Sequence, residues 1–219
     1  MRRRMVLLAA AMMAMSGVAQ AAPIGSSADA QCLKLAIQTL GPNFKPSNYT
    51  FLGGTEGNND FTGRATLGND VFCGFGGGDY IFTLDEGDIF LGGEDRDIFA
   101  INNGTFYGGP GDDSVLDNSG TFNGEEGNDL VSTNLLTGTF NGGAGVDVVY
   151  DNLGTVNGGD GNDQVDRNSG EGNDWVDFNV GTFNGGPGDD YVSGLNDGTF
   201  YGGDGNDYVF GGPPPVDGP

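Results

Sequence analysis

Histidine is absent from this chain of 219 residues, and basic residues are scarce. The lack of histidine excludes Ser-His-Asp triads, His-Glu-x-x-His zinc motifs and most zinc or copper sites, because these depend on imidazole. Only eight Lys and Arg residues stand against 31 Asp and Glu residues. Nucleic-acid binding needs a basic surface, so the composition argues against that function.

Three of the eight basic residues, Arg2, Arg3 and Arg4, precede an apolar run at 5–15 and an Ala-Gln-Ala site at 19–21. This order is typical of a secretory signal peptide, so we predict that residues 1–22 are removed and that the protein is secreted by the general route. The apolar run is too short to favour a membrane span. Without residues 1–22 the chain has five basic and 31 acidic residues, a net charge of −26. Because such a body repels itself, we expect a cation in the folded state.

Cysteine occurs twice, at Cys32 and Cys73. In an exported chain an even pair predicts one disulfide, and the alternative is two inert, partly buried thiols. Cys32 falls in a segment whose apolar residues Ala30, Leu33, Ile37 and Leu40 have the spacing of one helical face. This spacing predicts a short helix from Ser27 to Leu40, with Ser27 as its N-cap.

One amphipathic helix cannot bury its apolar stripe alone, and the open end of a repetitive fold needs a cover. We therefore expect residues 23–51 to form an N-terminal capping helix and a connector. Residues 52–212 follow as a repetitive region, and residues 213–219 form a Pro-rich tail.

The repeat is GGxGxD followed two residues later by an apolar residue, and it is cleanest at 108–115, 158–165, 185–192 and 202–209. An inward residue beside an outward one indicates a short strand. Eleven Asp residues share this apolar partner: Asp70, Asp79, Asp88, Asp97, Asp113, Asp129, Asp147, Asp163, Asp174, Asp190 and Asp207. This regularity argues against disorder, although the chain holds 44 Gly and nine Pro residues.

A second strand, Gly-Thr-Phe followed by Tyr or Asn, recurs between these turns, for example at 104–107 and 120–123. One coil is therefore strand, turn, strand, turn, which predicts an all-β fold of the parallel β-roll or β-solenoid type. The step of 11 residues from Asp163 to Asp174 lacks the second strand. We expect a bulge or a register shift near Ser169.

The turns have the chemistry of a calcium site. Glycine permits tight turns that leave carbonyl groups exposed, and each Asp adds a carboxylate. Stacked turns would then make a wall of oxygen atoms, which suits Ca²⁺ better than Mg²⁺ or a transition metal. Asp160 and Asp204, at the third position of their turns, are further candidate ligands, and an Asp or Asn at the fifth position adds polarity at the rim.

The repeat resembles the RTX, or haemolysin-type, calcium-binding family, whose pattern is G-G-x-G-x-D-x-U-x. The resemblance implies a parallel β-roll in which backbone carbonyls and the sixth-position Asp of neighbouring turns hold Ca²⁺. It implies as ligands Asp113, Asp163, Asp190 and Asp207, with the glycines Gly108, Gly111, Gly158, Gly161, Gly185, Gly188, Gly202 and Gly205. Copies that depart from the pattern add Asp79, Asp97, Asp129, Asp147 and Asp174; among the departures, Phe75 and Glu125 replace a second glycine and Asp95 replaces a fourth.

In that family the binding turns usually line both edges. Here only Asp70 and Asp88, opposite Asp79 and Asp97, continue that arrangement, and we expect the second edge of later coils to carry a ladder of Asn and Gly. The sequence thus predicts a one-sided Ca²⁺ ladder from Asp97 to Asp207, interrupted between Asp163 and Asp190.

These features predict an exported, non-enzymatic protein that folds on, or is stabilised by, Ca²⁺, without nucleic-acid binding or a membrane span and with its protein or polysaccharide partner undetermined. One alternative is that the acidic turns are solvated and metal-free. A second is an ice- or polymer-binding solenoid that uses a row of threonines: Thr105, Thr121, Thr139, Thr155, Thr182 and Thr199. A third is a polysaccharide-acting enzyme, although pairs of carboxylates are too common here to mark an active site.

Overall fold

The computed structural model describes residues 19–20, 26–165, 178–192 and 195–209. They form a parallel β-solenoid of two sheets with one N-terminal helix, α1 (Ser27–Leu40), and one short 3₁₀ turn, Pro46–Asn48. The predicted fold class is confirmed. The proposed signal peptide lies outside the described residues except for Ala19–Gln20, and the tail at 213–219 and Asp174 also lie outside them.

Each coil contributes to both sheets, and the strand pairs within the described residues are all parallel. Sheet A contains β1 (Ala19–Gln20), β3 (Asn59–Asp60), β5 (Tyr80–Leu84), β7 (Ile98–Asn102), β9 (Ser114–Asn118), β11 (Leu130–Asn134), β13 (Val148–Asn152), β15 (Gln164–Val165), β16 (Phe178–Asn179), β18 (Tyr191–Val192), β19 (Leu195–Asn196) and β21 (Tyr208–Val209). Sheet B contains β2 (Tyr49–Gly53), β4 (Asn69–Phe75), β6 (Ile89–Gly93), β8 (Thr105–Pro110), β10 (Thr121–Glu126), β12 (Thr139–Ala144), β14 (Thr155–Asp160), β17 (Thr182–Pro187) and β20 (Thr199–Asp204).

The core is a narrow column between the sheets. Residues two positions after an Asp, such as Val115 and Val131, fill it from sheet A, and phenylalanines such as Phe106 and Phe122 fill it from sheet B. Phe106 and Phe122 stack with ring centroids 4.7 Å apart. Aromatic stacking adds to apolar burial, and both depend on the exact register of the coils.

Helix α1 has the predicted bounds, Ser27–Leu40, but its N-cap is Ser26 and not Ser27. The Ser26 hydroxyl accepts from the Asp29 N–H at 3.2 Å, and Asp29 Oδ2 accepts from the Ser26 N–H at 2.9 Å. These reciprocal bonds are a capping box. The predicted apolar stripe is also wrong in part, since Ile37 is 49% exposed whereas Cys32 and Ala36 are fully buried.

The helix packs on the outer face of sheet B at its first strands, where Cys32 and Ala36 meet Val71, Cys73 and Leu91. The helix also binds β2, the first strand of sheet B at the open end. The Gly53 N–H donates to Asp29 Oδ1 at 2.9 Å. Cys32 and Cys73 form a disulfide, which confirms the predicted bond and explains which helical face is buried. At the same end of the core the Arg64 guanidinium lies over the Phe61 ring.

The described strands on either side of residues 166–177 keep the register of the solenoid. Thr155 pairs with Thr182, Asn152 with Asn179, and Gln164 with Tyr191. The expected register shift is therefore wrong, because residues 163 and 190 occupy adjacent coils. The expected bulge near Ser169 lies outside the described residues. No helix within the described ranges is long and apolar enough to cross a membrane.

Candidate metal centre

The sixth-position Asp residues form a continuous column on the edge where sheet B leads into sheet A, and we call this column the Asp ladder. In each pair of adjacent coils the backbone N–H of one Asp donates to Oδ1 of the next. The N···O distances run from 2.7 Å for Asp79 and Asp97 to 3.1 Å for Asp190 and Asp207. The ladder comprises Asp79, Asp97, Asp113, Asp129, Asp147, Asp163, Asp190 and Asp207.

The ladder continues through the point at which the sequence predicts an interruption. The Asp163 N–H donates to Asp190 Oδ1 at 2.7 Å, so these two residues are neighbours in the ladder. The expectation of a gap came from counting intervals along the chain, which treats residues 166–177 as part of the repeat. The strands on either side of them, β15 and β16, instead both pair with β13 of the preceding coil. Asp174 itself lies outside the described residues.

The second carboxylate oxygen of the ladder residues has no hydrogen-bond donor. This holds for buried Oδ2 atoms of seven residues in the described ranges: Asp79, Asp97, Asp113, Asp129, Asp147, Asp163 and Asp190. Each Oδ2 lies against the first glycine of its own turn. A carbonyl oxygen of the next coil borders the same space beside that glycine. At Gly108, for example, an added Cβ would meet both Asp113 Oδ2 and the Gly124 carbonyl, the latter at 2.8 Å.

Burial dominates the electrostatics of these carboxylates. It raises the pKa of Asp97 from 3.8 to about 9 and that of Asp129 to about 8, although the backbone hydrogen bond from the preceding Asp acts in the opposite direction. The pKa of Asp113 is raised to about 7 and that of Asp163 to about 6, again chiefly by desolvation. Near neutral pH the carboxyl groups of Asp97 and Asp129 in particular therefore favour a proton or a cation.

The predicted glycines fall into two groups around the ladder. Gly108, Gly158, Gly185 and Gly202 are first-position glycines, and an added side chain there would collide with the Oδ2 of the following Asp. The fourth-position glycines Gly111, Gly161, Gly188 and Gly205 instead stack closely on the backbone of the preceding coil, the last three with φ between 150° and 155°. The first group contacts the candidate site directly, whereas the second allows the coils to approach.

The remaining predicted ligands lie apart from the orphaned oxygens. Asp160 and Asp204, at the third position, are exposed on the ends of their strands. At the fifth position a rim of exposed side chains makes its own ladder, in which the Asn128 N–H donates to Asp112 Oδ1 at 2.8 Å. The described residues contain no group of three or more acidic or Cys side chains able to hold a metal. An ion here would therefore take one or two carboxylates and several carbonyl oxygens.

Three turns that depart from the repeat keep its backbone shape without glycine. Phe75, Asp95 and Glu125 have φ of 77°, 74° and 79°, where other copies place glycine. A left-handed conformation costs roughly 1–2 kcal/mol for a residue with a Cβ. These substitutions are therefore compatible with the ladder at some expense of stability.

Sequence reasoning missed the first member of the column, Asn59. Asn59 is 1% exposed, and its N–H and its Nδ2 both donate to Asp79 Oδ1, at 2.6 Å and 2.8 Å. The signal was the spacing of Gly54, Gly57 and Asn59, which repeats that of the later turns with Asn in place of Asp. A neutral amide thus ends the acidic column.

The opposite edge carries the expected ladder of asparagines, which we call the Asn ladder. Asn118 Nδ2 donates to Asn134 Oδ1 at 2.9 Å, and all members are buried. They are Asn102, Asn118, Asn134, Asn152, Asn179 and Asn196. In the first coils this edge holds Asp70 and Asp88, and the Asp70 N–H donates to Asp88 Oδ1 at 2.9 Å.

Comparison with known proteins identifies no relative of this chain. No family model, curated protein or solved structure matches the chain. The function must therefore be argued from the Asp ladder and the surfaces of the solenoid.

Proposed function

We propose that this protein is an exported, non-enzymatic, calcium-binding β-solenoid of the RTX type. The Asp ladder and the first-position glycine carbonyls would hold Ca²⁺ between successive coils. The observation that carries the proposal is the column of seven buried Oδ2 atoms without a donor. Their residues are the same ones that the repeat marks as ligands.

The donor set fits Ca²⁺ better than other common ions. It consists of carboxylate and carbonyl oxygens, without nitrogen or sulfur, and Ca²⁺ accepts such sets in flexible geometry. Each Oδ2 lies near a carbonyl oxygen of the next coil, as Asp129 Oδ2 does near the Gly142 carbonyl. A cation placed beside Oδ2 could therefore also take this carbonyl oxygen as a ligand.

A bound ion would supply the folding energy that the narrow core lacks. Each coil adds only about two apolar side chains to the core while it orders several glycines, whose loss of backbone freedom is large. Ca²⁺ neutralises the carboxylates and binds only the folded arrangement, so its binding energy becomes folding energy. The acidic chain would then remain unfolded where Ca²⁺ is scarce.

Two features support export. The N-terminal sequence has the order of a signal peptide, and the disulfide between Cys32 and Cys73 is typical of oxidising compartments. Calcium is also available outside the cell, so secretion and metal-dependent folding would act together.

Calorimetric titration combined with far-ultraviolet circular dichroism tests the proposal. Ca²⁺ added to chelator-treated protein should produce saturable heat and an increase in β-structure, whereas Mg²⁺ at the same concentration should do neither. An unchanged spectrum and no binding heat with Ca²⁺ would contradict it. The control variant Asp197→Asn removes an exposed carboxylate that follows the Asn ladder and should behave as the natural chain.

A second candidate function uses the outer face of sheet B. Thr121 pairs in register with Thr105 and Thr139, and the Thr row continues through Thr155, Thr182 and Thr199. Beside it runs a row in which Asn141 Nδ2 donates to Asn123 Oδ1 at 2.8 Å. Such a regular hydroxyl and amide surface suits ice or a polar polymer. An ice-recrystallisation assay should lose its inhibition on Thr155→Tyr but keep it on Thr133→Tyr, which changes sheet A.

A further inference from the structure

Four strands of sheet B, β10, β12, β14 and β17, carry the same dipeptide, Asn-Gly, at the same level of the sheet. The Asn side chains are half-buried on the outer face, and we call them the outer Asn row. The row consists of Asn123, Asn141, Asn157 and Asn184. Asn is a thermolabile residue, and a following glycine, which has no Cβ, leaves it most open to attack by the backbone. The row therefore places four reactive bonds in one column.

The geometry of the coil explains why both residues recur. Glycine is needed because an added side chain at Gly158, a first-position glycine, would collide with Asp163 Oδ2. Asn precedes it because the amides bond from coil to coil, as Asn157 Nδ2 does when it donates to Asn141 Oδ1 at 2.7 Å. The candidate metal centre and the amide row thus bring the dipeptide together.

The reaction of such a bond needs only the chain and water. The backbone nitrogen of glycine attacks Cγ of Asn, and the new N–Cγ bond closes a cyclic imide. The Cγ–Nδ2 bond breaks, and the amide proton of glycine leaves with the ammonia. Water then opens the imide at either carbonyl carbon, which gives aspartate or isoaspartate. No oxidant, reductant or partner takes part.

The folded strands prevent ring closure. In a parallel strand ψ is about +115°, which turns the glycine nitrogen away from Cγ of the preceding Asn. Asn141 lies inside β12, donates from Nδ2 to Asn123 Oδ1 at 2.8 Å and accepts at Oδ1 from Asn157. Ring closure at Asn141 would break these bonds and the pairing of β12 with β10 and β14. The reaction therefore requires the solenoid to open.

The products disturb the candidate metal centre. Conversion of Asn157 to isoaspartate would lengthen the main chain by one carbon–carbon bond, about 1.5 Å. The Gly158 carbonyl, which borders the same space as Asp147 Oδ2, would then be displaced. Conversion to aspartate would instead place a carboxylate oxygen where Nδ2 donates to Asn141 Oδ1, in a chain that is already strongly acidic.

We infer that the outer Asn row is a set of self-modification sites that folding controls. The unfolded chain converts its Asn-Gly bonds to aspartate and isoaspartate, and the folded solenoid protects them. Chemical change of an unfolded state makes unfolding irreversible. Under the proposed function, on which this consequence rests, a chain kept without Ca²⁺ would progressively lose its capacity to fold.

Asn103 is a comparator within the same chain. It also precedes a glycine, Gly104, but it lies in the turn between β7 and β8 and outside the row. The full mature chain is incubated in Ca²⁺ buffer, or in guanidinium chloride with chelator, and peptide mass spectrometry measures the conversion at each Asn-Gly bond. We expect similar rates at all of these bonds in denaturant. In the folded chain the row should react more slowly by about tenfold or more, and Asn103 should be slowed less.

Three results would overturn the inference. The first is equal conversion of the row in the folded and the unfolded chain. The second is a row that remains unmodified in denaturant. The third is equal slowing of Asn103 and the row, which would remove the role of strand pairing.

A variant with Gln throughout the row tests the loss of folding capacity. Gln keeps the amide, but its additional methylene disfavours ring closure, and the same column also accepts Tyr107 and Tyr201. The changes are Asn123→Gln, Asn141→Gln, Asn157→Gln and Asn184→Gln. After equal incubation in denaturant, dilution into Ca²⁺ buffer should restore more β-structure in this variant than in the natural chain, relative to samples that were not incubated.

Equal loss of refolding in the two chains would overturn this consequence. Circular dichroism before incubation verifies that the variant is folded, and the site-by-site rates of the natural chain test the inference without it. A fresh natural chain that gains no structure from Ca²⁺ would contradict the calcium proposal instead. In that case the comparison of the chain with and without denaturant still decides whether folding protects the row.

Discussion

The backbone N–H of Asp113 donates to Oδ1 of Asp129 at 2.8 Å, while Oδ2 of Asp129 is buried without a donor. One carboxylate thus makes a structural hydrogen bond with one oxygen and offers the other to a cation. We expect Asp129→Asn to separate these roles. The amide can still accept at Oδ1, and its Nδ2 can donate to the nearby Gly142 carbonyl, as a neutral Asn59 already ends the column.

The metal-free Asp129→Asn protein should therefore be more stable than the natural chain, by about 1–3 kcal/mol, since an unsatisfied buried oxygen is removed. Its gain in stability from Ca²⁺ should be smaller. Urea unfolding with chelator and with Ca²⁺ measures both quantities. Equal responses of Asp129→Asn and the exposed control Asp197→Asn would contradict a role for the ladder.

The stability of the metal-free protein should fall as the pH rises. Burial raises the pKa of Asp97 from 3.8 to about 9 and that of Asp129 to about 8, so the folded chain holds protons that the unfolded chain has released. The contribution is complete below about pH 4 and is lost as the pH rises through the folded pKa values. Thermal unfolding in chelator between about pH 4.5 and pH 9 measures this slope. Saturating Ca²⁺ should reverse it, because the cation competes with protons; metal-free stability that rises with pH would refute the assignment.

Gly124→Ala should destabilise the solenoid by about 1–3 kcal/mol, because the new methyl group would overpack the site against Asp129 Oδ2 and the Gly142 carbonyl. Gly57→Ala is the control, since nothing lies within 4 Å of a Cβ at Gly57. Chemical unfolding should place that variant within about 0.5 kcal/mol of the natural chain. Similar losses in both variants would show that the effect is not steric.

Glu125→Gly should increase the unfolding free energy by about 1 kcal/mol, since Glu125 holds a left-handed backbone with φ of 79° and glycine adopts it without a Cβ penalty. The neighbour Glu126 lies on the end of β10 and is not among the positive-φ residues. Glu126→Gly should therefore be neutral or destabilising in the same unfolding experiment. A stabilisation of both variants would point to relief of charge repulsion instead.

Removal of the disulfide by a Cys32→Ser and Cys73→Ser double change should cost about 3–4 kcal/mol, because it frees a closed loop with a sequence separation of 41. Thermal unfolding measures this loss. Hydrogen exchange should show the faster opening in α1 and β4, which the disulfide joins, and the coils after Asp113 should keep their protection. Uniform loss of protection along the solenoid would contradict this local role.

Much of the site was predictable because each coil needs the same residue types, glycine in the turn, Asp at the edge and an apolar residue in the core, at the same spacing. Spacing alone identified Asp113 as an edge residue and Val115 as a core residue, and it predicted the Asn and Thr rows. The apolar stripe of α1 was predicted less well. Its buried face depends on where Cys32 meets Cys73 and where Asp29 meets Gly53, and neither contact leaves a periodic signal.

The amino-acid sequence by itself determined the two-sheet coil and the choice of Asp as the ladder residue, because these follow from short-range patterns of glycine, carboxylate and apolar side chains. Only the tertiary structure decided which coils are adjacent. Asp163 contacts Asp190 because strand pairing joins segments that are adjacent in space, whatever the number of residues between them in the sequence. It also decided that Oδ2 of each ladder residue is buried without a donor, since desolvation arises only when one coil covers the next.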